Sequence, residues 1–453
     1  EARYGEIARK MLETGNWVTP QHAYGVPFWA KPPLSTWLSA LSMHFFGVNE
    51  LAVRLPGLLL SLGILWLVWG LAKKHSGEVS AWVSTLVLAG TMYFFLDAGT
   101  VMTDPSLIFC TTLCMVAFWR GFVDGSTLWS YLFFVGLGLG MLAKGPICIV
   151  LVGLPIFFWI LVRKDWVNLW KKLPWIKGSL IAGAICIPWY VLAEMRTPGF
   201  LNYFIIGEHF NRFLHPGWGG DKYGHAHNEP WGMIWVFAVI GFCPWSIPVV
   251  TWFVRYWKKI PSLFRDDDGW MCYLLFTLLA PLVFFTFASN IIYTYTFPCL
   301  AAFALLFTEA WRLTNKSLTE LNWILPLSLL TGLCFLLVTI VFVCKPELVA
   351  KTQKPIVRAW LNQHPEPQSA LIFWNDTVEY SGEFYSAGRA KPTKSLTVLC
   401  FLLSKSHDNY LVINSADMQD IPAPLLAQFK SIFTQKYKDQ IRILLRSPGV
   451  SCE

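Results

Sequence analysis

The chain has 453 residues, of which 55% are hydrophobic and 14% charged, and its mean hydropathy is +0.47. Soluble globular proteins carry about 25% charged residues, so an ordinary soluble enzyme is excluded for the chain as a whole. The net charge of +8 does not point to nucleic acid, because the Lys and Arg sit between apolar runs, the pattern of membrane topology.

Residues 1–53 come before the first full apolar span. Ile7, Ala8, Met11 and Leu12 recur at helical spacing, with Glu6, Arg9, Lys10 and Glu13 between them. This predicts an amphipathic helix with Gly15 as its C-terminal cap. A second apolar stretch, "LSTWLSALSMHFFG", is too short to span a bilayer. Both helices are expected to lie along the outer membrane surface. Pro32 and Pro33 rigidify the entry to the second and fix Lys31 in place.

Ten spans follow, centred near Leu65, Leu88, Thr112, Gly136, Pro155, Ile185, Ile240, Leu278, Leu300 and Leu336. Each needs ~20 apolar residues. Their connections alternate in charge. One set, with "KKHSG", Arg120, "RKDWVNLWKKLPWIK", "RYWKKIPSLFR", Arg312 and Lys316, carries about fourteen Lys and Arg; the other carries about four. Cationic loops stay in the cytoplasm. The second set, residues 1–53 and the tail are therefore expected to face outward.

That outward face holds the unusual residues. "MTDPSLIF" puts Asp104 at the mouth of a span, and "MLAKGPI" puts Lys144 in a tight turn. "GEHFNRFLHPGWGGDKYGHAHNEPW" gathers Glu208, His209, Arg212, Asp221, Lys222, His225 and His227 in one loop, and Tyr293 and Tyr295 open another span. Ionisable groups at membrane depth are functional candidates by default. Blander readings stand beside this one: Lys144 as a snorkelling anchor, Asp104 as a helix N-cap. His225 and His227 have the i, i+2 spacing of a strand or loop, so a divalent metal stays open.

After Cys344 the character changes to that of a soluble α/β domain. "SALIFW" and "NYLVIN" read as buried strands. "PAPLLAQFKSIFTQKY" reads as a helix, with Leu425, Phe429 and Phe433 at i, i+4 spacing, and "QIRILLR" closes the sheet. The division expected is 1–344 and 345–453. The eleven cysteines form no CxxC pair, and most sit in apolar runs as small hydrophobes. Cys400 and Cys452 are open to pairing if the tail is extracytoplasmic.

Taken in order, "EARYGEIARKM", "AKPPLSTWL", "FGVNELAVRLP", "TDPSLIF", "LAKGP", "IPWY", "GEHFNRF", "HNEPW" and "YTYTFP" resemble the membrane glycosyltransferases of the GT-C fold. The bacterial aminoarabinose transferases of lipid A and the protein O-mannosyltransferases are the most similar. The resemblance covers residues 1–310 and implies a mainly α, polytopic helical bundle with juxtamembrane helices and a small C-terminal α/β extracytoplasmic domain. The family's first loop begins with an acidic pair at the end of a transmembrane helix. Glu1 resembles its second acid, which implies a preceding helix and Asp.

The resemblance implies transfer of a sugar from polyprenyl phosphate to an extracytoplasmic acceptor, lipid A or a protein, at a bacterial inner membrane with the site facing the periplasm. It assigns Asp104 and Glu1 to catalysis, and Arg3, Tyr4, Lys31, Lys144, His209, Arg212 and Tyr295 to substrate. The expected partners are donor, acceptor and membrane lipids, with no nucleic acid; no residue is assigned to a metal. Two positions depart from the pattern. Ala30 replaces a Glu that the family links with metal or substrate, and Ile291 replaces a basic residue. A transporter is the rival class, but internal repeats with charges at the midplane would mark one, and here the charges cluster at one face.

Overall fold

The computed structural model describes residues 1–224, 227–259, 268–314, 323–344, 352–437 and 440–450. Contacts divide the chain into two compact units. One holds Glu1 with Lys10–Phe335; the other holds Ala2–Arg9 with Leu336–Glu453.

A helix stands at each of the ten places expected for a span. Five are long and apolar enough to cross a bilayer: Glu50–Ser76, Asp104–Phe122, Thr127–Lys144, Trp175–Arg196 and Ile324–Val341. The span expected near Ile240 is not one rod. Met233–Gly241 and Ser246–Tyr256 meet at 105°, because Pro244 cannot continue the helix hydrogen bonding. Glu78–Ala89, Ile147–Arg163 and Trp270–Thr286 are shorter apolar helices. Apolar side chains face outward along these rods, as with Trp66, Ile176, Leu180 and Leu329. Outward apolar faces suit a hydrocarbon solvent, and the chain is a multi-span membrane protein.

The bundle interior is aromatic. Trp119 and Trp270 pack with ring centroids 4.5 Å apart, and Trp159 joins them, its Nε1 donating to Gly269 O at 2.7 Å. Tyr273 OH donates to Met115 O at 2.8 Å. Thr111, Thr286 and Thr308 return their hydroxyls to carbonyls four residues back. These polar groups are satisfied inside the protein, as a bilayer requires, while Trp245 Nε1 and Trp270 Nε1 are buried without a hydrogen bond among the described residues. Gly138 lets two helices approach, since a Cβ there would stand 2.9 Å from Ala182 O.

Residues Ala2–Thr14 form the first expected helix, ended by Gly15 at φ 66°. Its polar face is covered by protein. Glu6, Arg9 and Lys10 are all buried, and Arg9 pairs bidentately with Glu6, both contacts at 2.7 Å. The polar stripe is internal, satisfied by this pair and by Lys10 Nζ donating to His22 O. The second expected helix is Leu34–Phe46. A short hairpin, β1 (Gln21–Ala23) with β2 (Val26–Pro27), lies between them.

The second unit carries a five-stranded sheet: β3 (Leu371–Trp374), β4 (Ala390–Thr393), β5 (Asn409–Asn414), β6 (Lys430–Tyr437) and β7 (Gln440–Ser447), ordered β4-β3-β5-β7-β6. β3 is parallel to β4 and β5, while β7 is antiparallel to β5 and β6. Alternate residues leave opposite faces. Leu371, Phe373, Tyr410 and Val412 pack with Ile356, Val357 and Trp360 of helix Lys354–Leu361. Ile372, Trp374, Leu411 and Ile413 pack with Leu399 and Leu403 of helix Leu396–Leu403.

The helix expected through Phe433 is corrected. Only Ala423–Leu426 is helical, and Lys430–Tyr437 is a strand. The β-branched and aromatic residues Ile432, Phe433, Thr434 and Tyr437 favour a pleated surface, and the partner strand follows directly in sequence. Cys400 is disulfide-bonded; Cys452 and His225 lie outside the described residues.

Candidate active site

The outer loop expected at 196–230 opens with a π-helix, Asn202–Asn211. π-turns pair residues five apart, and they occur often at functional sites. Here they bring Tyr203 to Glu208 and Phe204 to His209. Tyr203 OH donates to Glu208 Oε1 at 3.0 Å. His209 Nδ1 meets Phe204 O at 2.8 Å.

Glu208 is the anchor. Its Oε2 accepts from Lys31 Nζ at 3.2 Å and from Arg212 Nη1 at 3.1 Å. Arg212 Nη1 also lies 3.4 Å from Asp221 Oδ2. Burial pushes the Glu208 carboxyl up, but the Lys31 and Arg212 charges, with the Lys31 and Tyr203 hydrogen bonds, hold it below the usual carboxylate range. Arg212 Nε is buried without a hydrogen bond among the described residues, so one donor of a cation sized for phosphate is unused.

Lys222 lies beside them. Its ammonium rests 4.2 Å from the Trp29 ring centroid and 5.1 Å from that of Tyr203. Its backbone N–H donates to Tyr203 OH at 3.2 Å. Tyr223 ties this loop to the hairpin, donating to Pro27 O and accepting from Trp29 N. Asn290 holds the loop from the other side, its Nδ2 donating to Arg212 O at 2.6 Å and to His215 O at 2.7 Å.

Asp104 and Lys144 form the next pair, with Nζ to Oδ1 at 2.6 Å. The N-cap reading of Asp104 does not fit this geometry. Thr103 occupies the N-cap position, without a side-chain cap bond, and the Asp104 carboxylate turns to Lys144. Lys144 is a helix end followed by Gly145 at φ 83°. A Cβ on Gly145 would stand 2.6 Å from the Phe204 ring, so the turn needs glycine.

Contacts join the two pairs. His209 Nε2 lies 3.3 Å from Lys144 O. Burial lowers the His209 pKa below the ordinary imidazole value, its two carbonyl contacts oppose the shift, and Lys31 adds to it. Lys144 Nζ stands 5.5 Å from the Tyr295 ring centroid, and Tyr295 lies within electrostatic reach of Arg212.

Glu1 pairs with Arg54 through two contacts, 2.7 and 3.2 Å. Asp97 was not singled out from the sequence. It is buried, accepts from Thr100 Oγ1, and feels the charges of Asp104, Lys144 and Glu1. Its signal was a lone acid in the apolar run "YFFLDAG".

The first unit thus brings together Lys31, Asp104, Lys144, His209, Arg212 and Tyr295, with Glu1 at the edge of the cluster. Arg3 and Tyr4 belong to the second unit. There Arg3 lies 5.8 Å from the Tyr4 ring centroid and within electrostatic reach of Tyr380. Ile291 is buried, its N–H donating to His227 O. Among the described residues no three His, Cys, Asp or Glu gather as a metal site.

A profile of the dolichyl-phosphate-mannose-protein mannosyltransferases matches residues 1–204. The undecaprenyl phosphate-alpha-4-amino-4-deoxy-L-arabinose arabinosyl transferase 1 of Pseudomonas fluorescens (strain Pf0-1) is 30% identical over 321 residues, covering 68% of this chain and 52% of that protein. The corresponding transferase of Enterobacter sp. (strain 638) is 29% identical over 338 residues, covering 72% and 57%. The chain therefore spans little more than half the length of these curated relatives. The crystal structure of ArnT from Cupriavidus metallidurans bound to undecaprenyl phosphate superposes with a TM-score of 0.71 at 18% identity, over 98% of this chain and 93% of that one. The chain has the GT-C fold of that structure and resembles, in sequence, the aminoarabinose transferases and the protein mannosyltransferases.

Proposed function

We propose that this chain is a glycosyltransferase that moves a sugar from undecaprenyl or a similar polyprenyl phosphate to an extracytoplasmic acceptor, a lipid A-type glycolipid. The observation that carries the proposal is the Glu208 centre. Lys31 and Arg212 share one carboxylate oxygen, Arg212 keeps a spare donor, and Lys222 adds a third cation held on aromatic faces. Such a centre suits an anion that arrives and leaves. Arg holds phosphate oxygens in a fork, and fixed donors stabilise charge as it develops.

In the reaction the bond between the anomeric carbon and the phosphate oxygen breaks. Its electron pair leaves with the polyprenyl phosphate, towards Lys31, Arg212 and Tyr295. The acceptor oxygen forms the new bond. A hydroxyl acceptor must shed a proton, and Asp104 is the carboxylate offered as base, with Lys144 beside it. An ionised phosphate acceptor has no proton to lose, and Asp104 then orients the sugar. The mannosyltransferase profile over residues 1–204 supports a second reading in which a protein hydroxyl accepts.

The proposed setting is the bacterial inner membrane, with this site and the domain from residue 345 in the periplasm. The alternation of loop charge supports that orientation. So does the Cys400 disulfide, since such bonds persist in oxidising compartments. Membrane-impermeant thiol reagents on intact spheroplasts should reach cysteine probes at 16–30 and 200–224 and miss probes at 166–172. For the activity, the reconstituted chain is given a labelled undecaprenyl-phosphate sugar with lipid A or a hydroxyl-bearing peptide. Label on lipid A supports the proposal, label on the peptide supports the second reading, and translocation without transfer rejects both.

A further inference from the structure

Helix Leu396–Leu403 is an apolar element beside the second unit's sheet, and one of its faces is uncovered. Leu399 and Leu403 pack on the sheet. On the other side Val398 and Phe401 remain 45% and 60% exposed. Val398 and Phe401, three residues apart, share one face of the helix. Lys394 lies just before the helix and Lys405 just after it, so cationic side chains flank the Val398–Phe401 face in sequence.

The charge around this face is one-sided. Between Ser386 and His407 the sequence contains Arg389, Lys391, Lys394 and Lys405 and no Asp or Glu. Lys391, Lys394 and Lys405 are exposed. Lys405 Nζ lies 4.3 Å from the Phe401 ring centroid, so its stem covers apolar surface while its head stays outward. The Cys400 disulfide holds the helix covalently at its middle. Apolar tips between cationic heads are the chemistry of an interfacial helix on anionic lipid.

The bilayer is within reach. Nine residues separate Cys344, the end of an apolar helix, from Lys354. Nine residues extend at most ~30 Å, about the diameter of a 100-residue domain.

We infer that the Val398–Phe401 face, flanked by Lys394 and Lys405, docks onto the anionic headgroup surface of the chain's own membrane, with Phe401 entering the interface. The inference concerns the tail and is independent of the proposed transfer.

The test is photocrosslinking. The full chain carrying Phe401→p-benzoylphenylalanine is reconstituted in nanodiscs of phosphatidylcholine, with or without phosphatidylglycerol, and adducts are identified by mass. The expected result is a phosphatidylglycerol adduct at residue 401, stronger than the phosphatidylcholine adduct and than that from the same probe at Ile432. Adding Lys394→Glu and Lys405→Glu should lower the yield about fivefold per lysine, from ~1 kcal/mol each. The lipid comparison uses unchanged lysines, so it does not depend on how the Glu variants fold. Adducts only to protein, equal yields at 401 and 432, or adducts only when a phosphorylated glycolipid is added would each overturn the inference.

Discussion

Glu208 in the bundle and Asp376 in the tail are both carboxylates gripped by arginine, and they differ in what surrounds them. Arg442 Nε reaches Asp376 Oδ2 at 2.6 Å and Nη2 reaches Oδ1 at 3.3 Å. The arrangement is one cation to one anion, with the Asp376 backbone neighbour Thr377 N–H adding a bond. Around Glu208 stand Lys31, Arg212 and Lys222 against Glu208 and Asp221, which leaves one positive charge over, and that charge sits on aromatic rings instead of on a carboxylate. A balanced pair is complete and ties β7 to the loop after β3. An unbalanced one is ready for a further anion.

The Asp104–Lys144 pair tests where that distinction ends, because it is balanced and yet lies in the cluster. If it is structural like the tail pair, Asp104→Asn lowers the melting temperature and leaves turnover alone. We expect the opposite with a hydroxyl acceptor: turnover falls ~10²–10⁴-fold with donor affinity little changed. With a phosphate acceptor, Asn should keep much of the turnover. Steady-state transfer on both acceptors separates these outcomes.

Arg442→Ala strands Asp376 and should cost about 3 kcal/mol, the low end for breaking a buried pair because Asp376 is partly exposed. Hydrogen exchange over residues 371–447 would show it, with undecaprenyl phosphate affinity unchanged. Lys31→Ala or Arg212→Ala should do the reverse, weakening that affinity ~10–100-fold, from ~1.5–3 kcal/mol per charged contact. Equal effects of the two arginine variants on exchange and on affinity would dissolve the comparison.

The smallest effect is expected at Tyr203. Tyr203→Phe removes one donor to Glu208, worth about 1 kcal/mol or roughly fivefold in donor affinity. It also has a pH signature. The folded Glu208 value lies below its unfolded one, so the contribution to stability is present above the ordinary glutamate value and is lost as pH falls through the lowered folded value. Losing the tyrosine raises the folded value and moves acid unfolding to higher pH. Glu208→Gln should abolish that limb, as acid titration by circular dichroism would report.

Much of this was legible in the sequence, for identifiable reasons. The apolar runs marked a helix at each of the ten expected spans because a bilayer demands length and composition together. Lys31, Asp104, Lys144 and Arg212 stood out because charge at membrane depth is costly. The π-helix was not legible: "NYFIIGEHFN" has no pattern separating five-residue from four-residue hydrogen bonding, so the Tyr203–Glu208 contact stayed hidden. Asn290 was hidden too, since its partners are backbone carbonyls some seventy-five residues away. Strand Lys430–Tyr437 was misread because Leu425, Phe429 and Phe433 satisfy a helical period while the pairing with β7 prevailed. Glu6, Arg9 and Lys10 formed a polar stripe, and a stripe does not reveal whether water or protein covers it.

The π-helix also makes an insertion–deletion experiment informative. A π-turn is an α-turn holding one residue too many, so Asn202–Asn211 contains slack that a single deletion would take up. The helix would tighten to α-turns, in which residues four apart stack as residues five apart do in the π-helix, so the side chains beyond the deletion would keep their facing. Deleting Ile206 should therefore leave Glu208 one α-turn from Tyr203, on the same face of the helix. Losing that one aliphatic residue should disturb the cluster less than exchanging Lys31, Glu208 or Arg212.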